Sequence, residues 1–274
     1  MQSSPLGAYM QTRKILIVTK TYPSISKKYR ETVCTAGILL DEAESPLQWI
    51  RIYPVRYRDL DFEKKYPKWG IISASIERNS KDYREESYRI DDSSIVVERK
   101  LGTSNGWEER RKYFEPLAFK YIDDIKAQGK SLGVIKPTKF EYSCEEAARN
   151  WPDSQQVILD QGDLLKPDQP FSELEKIPYK FFYKFTDGDK THKCSIIDWE
   201  ISQLYRKMRD DSVEKSTHGK EGEALEKVRI KLAEQFKSKD LYFLMGNLKN
   251  HKNSFVIIGL IYPPLIEVQQ LNLL

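Results

Sequence analysis

The sequence predicts an α+β fold in which two antiparallel, β-barrel-like modules have amphipathic helices packed on them. Short segments rich in β-branched and aromatic residues occur in both halves of the 274-residue chain, separated by polar turns. Segments with apolar residues at helical spacing follow the strands in each half. Strands that are linked by turns favour an antiparallel barrel or sandwich over a parallel α/β sheet.

Residues 1–104 are predicted to form the N-terminal module. Three long strands are expected first, at Lys14–Tyr22, Glu31–Leu40 and Leu47–Val55, because each is a β-branched run that ends at polar residues. Three further runs, "WGIISASIERN", "ESYRI" and "SSIVVERKL", complete this β-rich part.

Residues 105–177 are predicted to be a helix followed by a linker. The segment Trp107–Gly129 places its apolar side chains on one stripe at helical spacing, and Pro116 is expected to kink it or divide it. The stretch Asp160–Pro178 is rich in Pro, Asp and Gln, which is typical of a long loop or linker.

Residues 178–274 are predicted to form a C-terminal module with inserted helices. The strands "YKFFYKF" and "HKCSII" are joined through Asp-Gly, which is typical of a hairpin. Asp198 is placed to cap the helix that follows, and "EALEKVRIKLAEQF" is a second amphipathic helix. The runs "LYFLMGN" and "SFVIIGLIY" are the last two strands.

The composition indicates a cytoplasmic protein. No run of 18 apolar residues occurs, so no membrane span is expected, and the first residues lack the pattern of a secretory signal. The three cysteines, Cys34, Cys144 and Cys194, are odd in number and far apart, which argues against a disulfide framework or a zinc site.

Sequence motifs argue against several enzyme classes. The chain has no Walker A motif, no G-x-G-x-x-G, no H-E-x-x-H and no G-x-S-x-G. Nucleotide-triphosphate hydrolysis and α/β-hydrolase chemistry are therefore not expected, and neither is a cofactor.

Basic and aromatic residues are interleaved in the N-terminal module, which favours binding to nucleic acid. Residues 1–70 contain 12 Lys and Arg against 7 Asp and Glu, whereas the other 204 residues contain 33 and 34. Strand alternation puts Trp49, Arg51 and Tyr53 on one face and Ile50 and Ile52 on the other. If that first face is open, its rings can stack on bases and its arginine can contact phosphate. The alternative is that the rings pack under a neighbouring element.

The predicted binding residues extend over both modules. Three further stretches are basic. In "KDYREESYR" surface salt bridges are favoured over binding. The stretches "YKFFYKF" and "NLKNHKN" could form a second nucleic-acid surface, and the alternative is an edge strand protected by lysines. The full set is Lys20, Lys27, Lys28, Tyr29, Arg30, Trp49, Arg51, Tyr53, Arg56, Tyr57, Arg58, Lys180, Lys249 and His251.

One acidic stretch, "THKCSIIDWE", is a candidate for a metal-dependent site. His192, Asp198 and Glu200 lie close together in sequence, and a nuclease needs carboxylates around Mg²⁺. Residues at i and i+2 do not face each other on a helix, so a cap and a first-turn acid are the simpler interpretation, and no metal is predicted.

Several long stretches resemble an uncharacterised bacterial family that contains two OB-folds. They are "KKYRETVCTAGILL", "WIRIYPVRYRDL", "IPYKFFYKF", "HKCSIIDWEISQLYR" and "LYFLMGNLKNHKNSFVIIGLIYPP", so the resemblance spans roughly residues 14–264. It implies two small barrels and a role in bacterial conflict or antiviral defence. It carries no catalytic residues over to this chain.

The sequence therefore predicts a non-catalytic protein that binds single-stranded DNA or RNA through the N-terminal module. Two alternatives stay open. One is a metal-dependent nuclease or nucleotide-processing enzyme that uses the region of His192, Asp198 and Glu200. The other is an adaptor in a bacterial defence system whose aromatic residues contact a protein partner.

Overall fold

The structure is a computed structural model that describes residues 10–160 and 174–266. Within these ranges the strands are β1 (Gln11–Lys20), β2 (Ser24–Ser26), β3 (Arg30–Leu40), β4 (Pro46–Val55), β5 (Gly70–Arg78), β6 (Ser87–Ile90), β7 (Val96–Lys100), β8 (Ala118–Phe119), β9 (Leu132–Ile135), β10 (Lys139–Glu146), β11 (Tyr179–Asp187), β12 (Lys190–Ile196), β13 (Tyr242–Leu248) and β14 (His251–Ile261). The α-helices are α1 (Ser104–Phe114), α2 (Ile122–Ala127), α3 (Asp153–Asp160), α4 (Trp199–Asp210) and α5 (Thr217–Arg229). None of the helices in the described ranges is long and apolar enough to cross a membrane.

The N-terminal module is a closed five-stranded barrel. Its strands pair in the order β1-β3-β4-β6-β5, and β5 pairs back with β1. All of these pairings are antiparallel except that of β4 with β6. Alternate apolar side chains, among them Ile15, Ile17, Ile50 and Ile52, are fully buried in the barrel. The prediction that Ile50 and Ile52 belong to the core is confirmed.

The C-terminal module is built on a second sheet, with the strand order β10-β11-β12-β14-β13-β9-β8. Side chains from this sheet pack with side chains of α4 and α5, such as Tyr205 and Val228, in one hydrophobic core. The strand "YKFFYKF" alternates as predicted, because Phe181 and Tyr183 are buried while Lys180 is exposed. The α+β fold class with β-barrel-like modules and amphipathic helices is confirmed.

A third hydrophobic cluster joins the two modules. It contains the outer faces of β1 and β4, including Leu16 and Trp49, together with Leu244 and Ile258 of the C-terminal sheet. The two modules are in direct contact here, as shown by the Thr19 hydroxyl, which donates to the Ile258 carbonyl at 3.0 Å. The outer side of the barrel at β1 and β4 is therefore covered by the second module.

The predicted helix Trp107–Gly129 is divided at Pro116, one of the two outcomes that the sequence predicts, but its two pieces do not fill the predicted range. The helix α1 ends at Phe114, and a 3-10 turn that contains Pro116 follows it. Proline cannot donate the backbone hydrogen bond that would continue an α-helix, so the chain leaves the helix here. It then forms β8 and the short helix α2.

The region predicted as helix and linker also contributes strands. The strands β8, β9 and β10 lie within residues 118–146 and belong to the C-terminal sheet. The strand β9 and the first half of β10 lie in the stretch "SLGVIKPTKFEY", whose pattern is extended, whereas β8 has only two residues and shows no pattern. Most of the predicted linker, residues 161–173, lies outside the described residues.

Candidate nucleic-acid interface

The predicted open face of β4 is covered at two of its three residues. Trp49 is 5% exposed and Arg51 is 4% exposed. The Trp49 indole donates to the Leu117 carbonyl at 3.1 Å, and the Arg51 guanidinium donates to the Ser131 carbonyl and the Cys34 sulfur, each at 3.4 Å. The prediction that Trp49 and Arg51 contact nucleic acid is therefore wrong, because the C-terminal module packs over them.

The two tyrosines of the predicted surface are half-buried. The Tyr53 hydroxyl accepts a hydrogen bond from Thr32 at 3.3 Å. The Tyr57 hydroxyl donates to the Tyr66 carbonyl at 2.7 Å, and its ring meets the Trp199 ring edge-on with centroids 5.5 Å apart. Tyr57 therefore faces a cleft between the modules and not an open sheet surface.

The two arginines after β4 lie near carboxylates. Arg58 pairs with the buried Glu31 at 2.8 Å, and the exposed Arg56 lies 3.9 Å from Asp92. Because a phosphate would have to compete with Glu31, Arg58 is a weak candidate for a phosphate contact. Arg56 remains accessible.

The turn between β2 and β3 carries two further predicted residues that are exposed. Lys27 and Lys28 are exposed, and the Lys28 ammonium lies 4.9 Å from the centroid of the Tyr29 ring. The side chain of Arg30 lies outside the described part of the structure. A nucleic-acid contact at this turn stays a prediction.

The predicted second surface, which combined Lys180 with Lys249 and His251, is divided by the fold. Lys180 is adjacent to Phe181, which pairs with Ile196 of β12. Ile196 in turn pairs with Ile257 of β14. His251 is six residues before Ile257 on that strand, which corresponds to about 20 Å. Lys180 and the β13–β14 turn therefore lie towards opposite ends of the sheet.

The β13–β14 turn instead meets a loop of the N-terminal module. The Lys252 ammonium lies 4.3 Å from the centroid of the Tyr83 ring. Asn247 donates to the Tyr83 hydroxyl at 3.3 Å, and Arg84 donates to the Asn247 carbonyl at 3.2 Å. Two segments more than 160 residues apart in sequence therefore form one surface.

This surface, which we call the junction patch, is basic and aromatic. All of its side chains are exposed, and Tyr83 keeps 42% of its area accessible. No carboxylate within the described ranges forms an ion pair with its three lysines. Its members are Lys81, Tyr83, Lys249, His251 and Lys252.

Most acidic residues of the loop point away from the junction patch. Burial opposes ionisation of Asp82, but hydrogen bonds from Arg84 outweigh it and lower the pKa of Asp82 to about 2. Glu86 is buried and accepts from the Ser131 amide at 2.5 Å. Only Glu85 remains exposed among the three acids. Of the predicted surface salt bridges, Arg89 forms one with Glu77 at 3.8 Å, whereas the pair of Arg84 with Asp82 is buried. Lys81 and Tyr83 stay exposed.

The alternative metal-dependent site is not assembled. His192 binds Asp187 at 2.6 Å, whereas Asp198 caps α4 at the other end of β12 and accepts from the Glu200 amide at 2.9 Å. Lys68 lies 2.7 Å from the Glu200 carboxylate. In the described residues no group of three His, Cys, Asp or Glu side chains is placed to hold a metal ion.

The cleft between the two modules, which we call the inter-module cleft, lies beside Asp198. It has a volume of about 510 Å³. Lys20 of β1 lines it, and the Lys20 ammonium donates to the Tyr66 carbonyl at 2.9 Å. Burial lowers the pKa of Lys20 from 10.5 to about 8, although attraction to Glu200 opposes this. The ammonium is therefore a partly buried cation.

Lys20→Met is expected to stabilise the protein by about 2 kcal/mol at pH 7, after allowance for solvent screening. Between pH 8 and 10.5 the unfolded chain binds more protons at this residue than the folded protein does. The contribution of Lys20 therefore makes wild-type stability rise with pH, and the advantage of the variant shrinks. Tyr57 still donates to the Tyr66 carbonyl in the variant. Urea denaturation at pH 7 and pH 9.5 measures this, and an equal advantage at both pH values contradicts it.

Family models match both parts of the chain. The model "Domain of unknown function (DUF8757)" matches residues 119–274, and the model "Domain of unknown function (DUF8758)" matches residues 11–116. The search of curated proteins found no match.

Solved structures of DNA-binding and related domains show a weak likeness. "Crystal structure of the tetrameric p202 HIN2" is 9% identical and covers 97% of this chain and 100% of that one, with a TM-score of 0.31. "Crystal structure of Ifi202 HINa domain in complex with 20bp dsDNA" is 9% identical over 94% and 99%, with a TM-score of 0.33. A "Replication Protein A Heterotrimer Bound to ssDNA" is 11% identical over 95% and 67%, with a TM-score of 0.24. These scores are too low to indicate a function.

Proposed function

We propose a function for this chain, which belongs to the family of the domain of unknown function DUF8757: it binds single-stranded nucleic acid through the junction patch. The observation that supports this proposal is the exposed ring of Tyr83 beneath the Lys252 ammonium, at 4.3 Å. An aromatic ring with adjacent cations is the arrangement by which proteins bind single strands without reading their sequence.

The charges of the junction patch match a phosphate backbone. Lys81, Lys249 and Lys252 form no ion pair with a carboxylate in the described part of the chain, so they can neutralise phosphates without first losing a partner. Each phosphate contact releases condensed counterions, which makes binding weaker as salt rises. Among the exposed carboxylates, Glu85 is the nearest to Tyr83 in sequence.

The ring of Tyr83 favours a single strand over a duplex. The faces of bases inside a duplex are stacked on each other, and a side chain can stack only on an unpaired base. Such stacking contributes about 1–3 kcal/mol per base. The 2′-hydroxyl of RNA is not required for either contact, so DNA and RNA are both expected ligands.

Lys249→Gln combined with Lys252→Gln is expected to weaken binding of a 20-nucleotide single strand by about tenfold or more at 50 mM salt. The slope of log affinity against log salt should fall by about 0.7 for each lost phosphate contact. Tyr83→Ala should also weaken binding, because it removes the ring. Tyr83→Phe should keep the affinity of the wild type, because phenylalanine keeps the ring. Fluorescence anisotropy at several salt concentrations measures both effects.

The matched control is Lys180→Gln combined with Lys184→Gln. These two lysines are also exposed and also belong to the C-terminal sheet, but they lie on β11. Their replacement removes the same net charge. If the two double variants lose the same affinity, binding follows net charge alone and the junction patch is not the site.

A further inference from the structure

The inter-module cleft has the features of a small-molecule site, and it lies apart from the junction patch. Lys20 and Tyr57 of the N-terminal module line it, together with Trp199 and Tyr262 of the C-terminal module. Its volume of about 510 Å³ falls within the range of sites that hold cofactors and other small ligands. Neither module forms the cleft alone.

Cations in the cleft exceed the carboxylates that neutralise them. Lys68 is neutralised, since it lies 2.7 Å from Glu200 and 3.7 Å from Asp198. Lys20 and Lys231 form no ion pair with any carboxylate in the described ranges. The Lys20 ammonium is held by one carbonyl and lies 4.0 Å from the centroid of the Tyr57 ring.

The other cations belong to the C-terminal module. The Lys231 ammonium is 5.5 Å from the centroid of the Tyr262 ring, and Lys207 lines the rim. An anion in the cleft would therefore meet ammonium groups from both modules. Since Lys20 and Lys231 are partly shielded from water, their attraction for an anion is stronger than on an open surface.

The walls of the cleft are flat and apolar. The rings of Tyr57 and Trp199 meet edge-on at 5.5 Å with an interplanar angle of 77°, which fixes the orientation of the indole. Tyr262 stacks on Phe236, with centroids 4.5 Å apart and an interplanar angle of 25°. Rings that are held in this way offer fixed surfaces to a planar group.

We propose that the inter-module cleft binds a nucleotide, with the heterocycle against Trp199 and Tyr262 and the phosphate between Lys20 and Lys231. A nucleotide combines the two properties that the cleft accommodates, a planar ring and a compact anion. The ligand touches both modules and would stabilise their association. This proposal does not depend on nucleic-acid binding at the junction patch.

Isothermal titration of the full chain with AMP, GMP, CMP and UMP tests the proposal. At least one of them should bind at least tenfold more tightly than its own nucleoside and than inorganic phosphate. Lys20→Met should weaken that nucleotide by at least tenfold, and Lys231→Met should do so as well. The control Lys180→Met should have no effect, since Lys180 is exposed on β11.

Two results would overturn the proposal. One is that no nucleotide binds more tightly than its nucleoside or phosphate. The other is that Lys20→Met and Lys231→Met keep the affinity of the wild type. Lys20→Met is expected to be a stable, folded protein, so its loss of binding would not reflect unfolding. The junction-patch double variant should keep nucleotide binding, and if it alone loses that binding, the nucleotide occupies the patch and the proposal for the cleft fails.

Discussion

Trp49→Ala is expected to lower the free energy of unfolding by about 3–5 kcal/mol. The side chain is 5% exposed and lies in the hydrophobic cluster that joins the two modules. Truncation leaves a cavity between two backbones that cannot easily close, because Thr19 and Ile258 are already hydrogen-bonded across the junction. It also removes the donor to the Leu117 carbonyl. Chemical denaturation measures the loss.

Leu47→Ala is the matched control for Trp49→Ala. Leu47 belongs to the same strand but is 50% exposed, so its truncation should cost well under 1 kcal/mol. If Trp49→Ala left stability unchanged and abolished nucleic-acid binding, Trp49 would be a stacking residue on an open face. That result would restore the binding surface that the sequence predicts and would contradict the packing of the two modules.

Asp198→Ala is expected to destabilise the protein by about 3–5 kcal/mol, as for other buried ion pairs that lose one partner. Asp198 is 1% exposed and accepts hydrogen bonds from the amides of Glu200 and Leu260, each at 2.9 Å. Burial raises the pKa of its carboxyl, and the nearby Lys68 opposes this shift. The substitution removes a helix cap and leaves the Leu260 amide without its partner. Thermal and chemical denaturation measure the effect.

Two variants separate the roles of this carboxylate. Asp198→Asn removes the charge and keeps an acceptor oxygen for only one of the two amides, because Glu200 and Leu260 donate to different carboxylate oxygens, so it should be less damaging than alanine but not neutral. Glu200→Gln alters an exposed group that also pairs with Lys68, and a loss below 1 kcal/mol is expected. If Asp198→Ala were fully stable but lost a Mg²⁺-dependent cleavage activity, Asp198 would be catalytic and its structural role would be refuted.

Local features of this fold could be predicted well from the sequence. The alternation in β4 assigns Ile50 and Ile52 to the barrel core, and both are fully buried. The position of Asp198 before an amphipathic run predicts a helix cap, and its carboxylate accepts from the Glu200 amide at 2.9 Å. These features depend on residues near each other in the chain, where strand and helix periodicity determine which side chains share a face.

The strand β8 of the middle region could not be predicted from the sequence, and the reason is local as well. The strand β8 has two residues, too few to show a period, and it pairs in parallel with β9. A pattern of that length is compatible with helix, strand or loop. The helical stripe after Trp107 therefore appeared to continue through it.

The face of β4 that carries Trp49 and Arg51 depends on a local pattern and on a long-range contact. Periodicity by itself placed Trp49 and Arg51 on one face of a strand, and that assignment holds. Whether the face is open depends on which element packs against it, and here the C-terminal module covers it. Likewise, Tyr83 meets Lys252 only because the sheets bring together segments more than 160 residues apart. Strand period is a local property of the backbone, whereas exposure and charge convergence depend on long-range packing, which a single sequence does not encode in any short pattern.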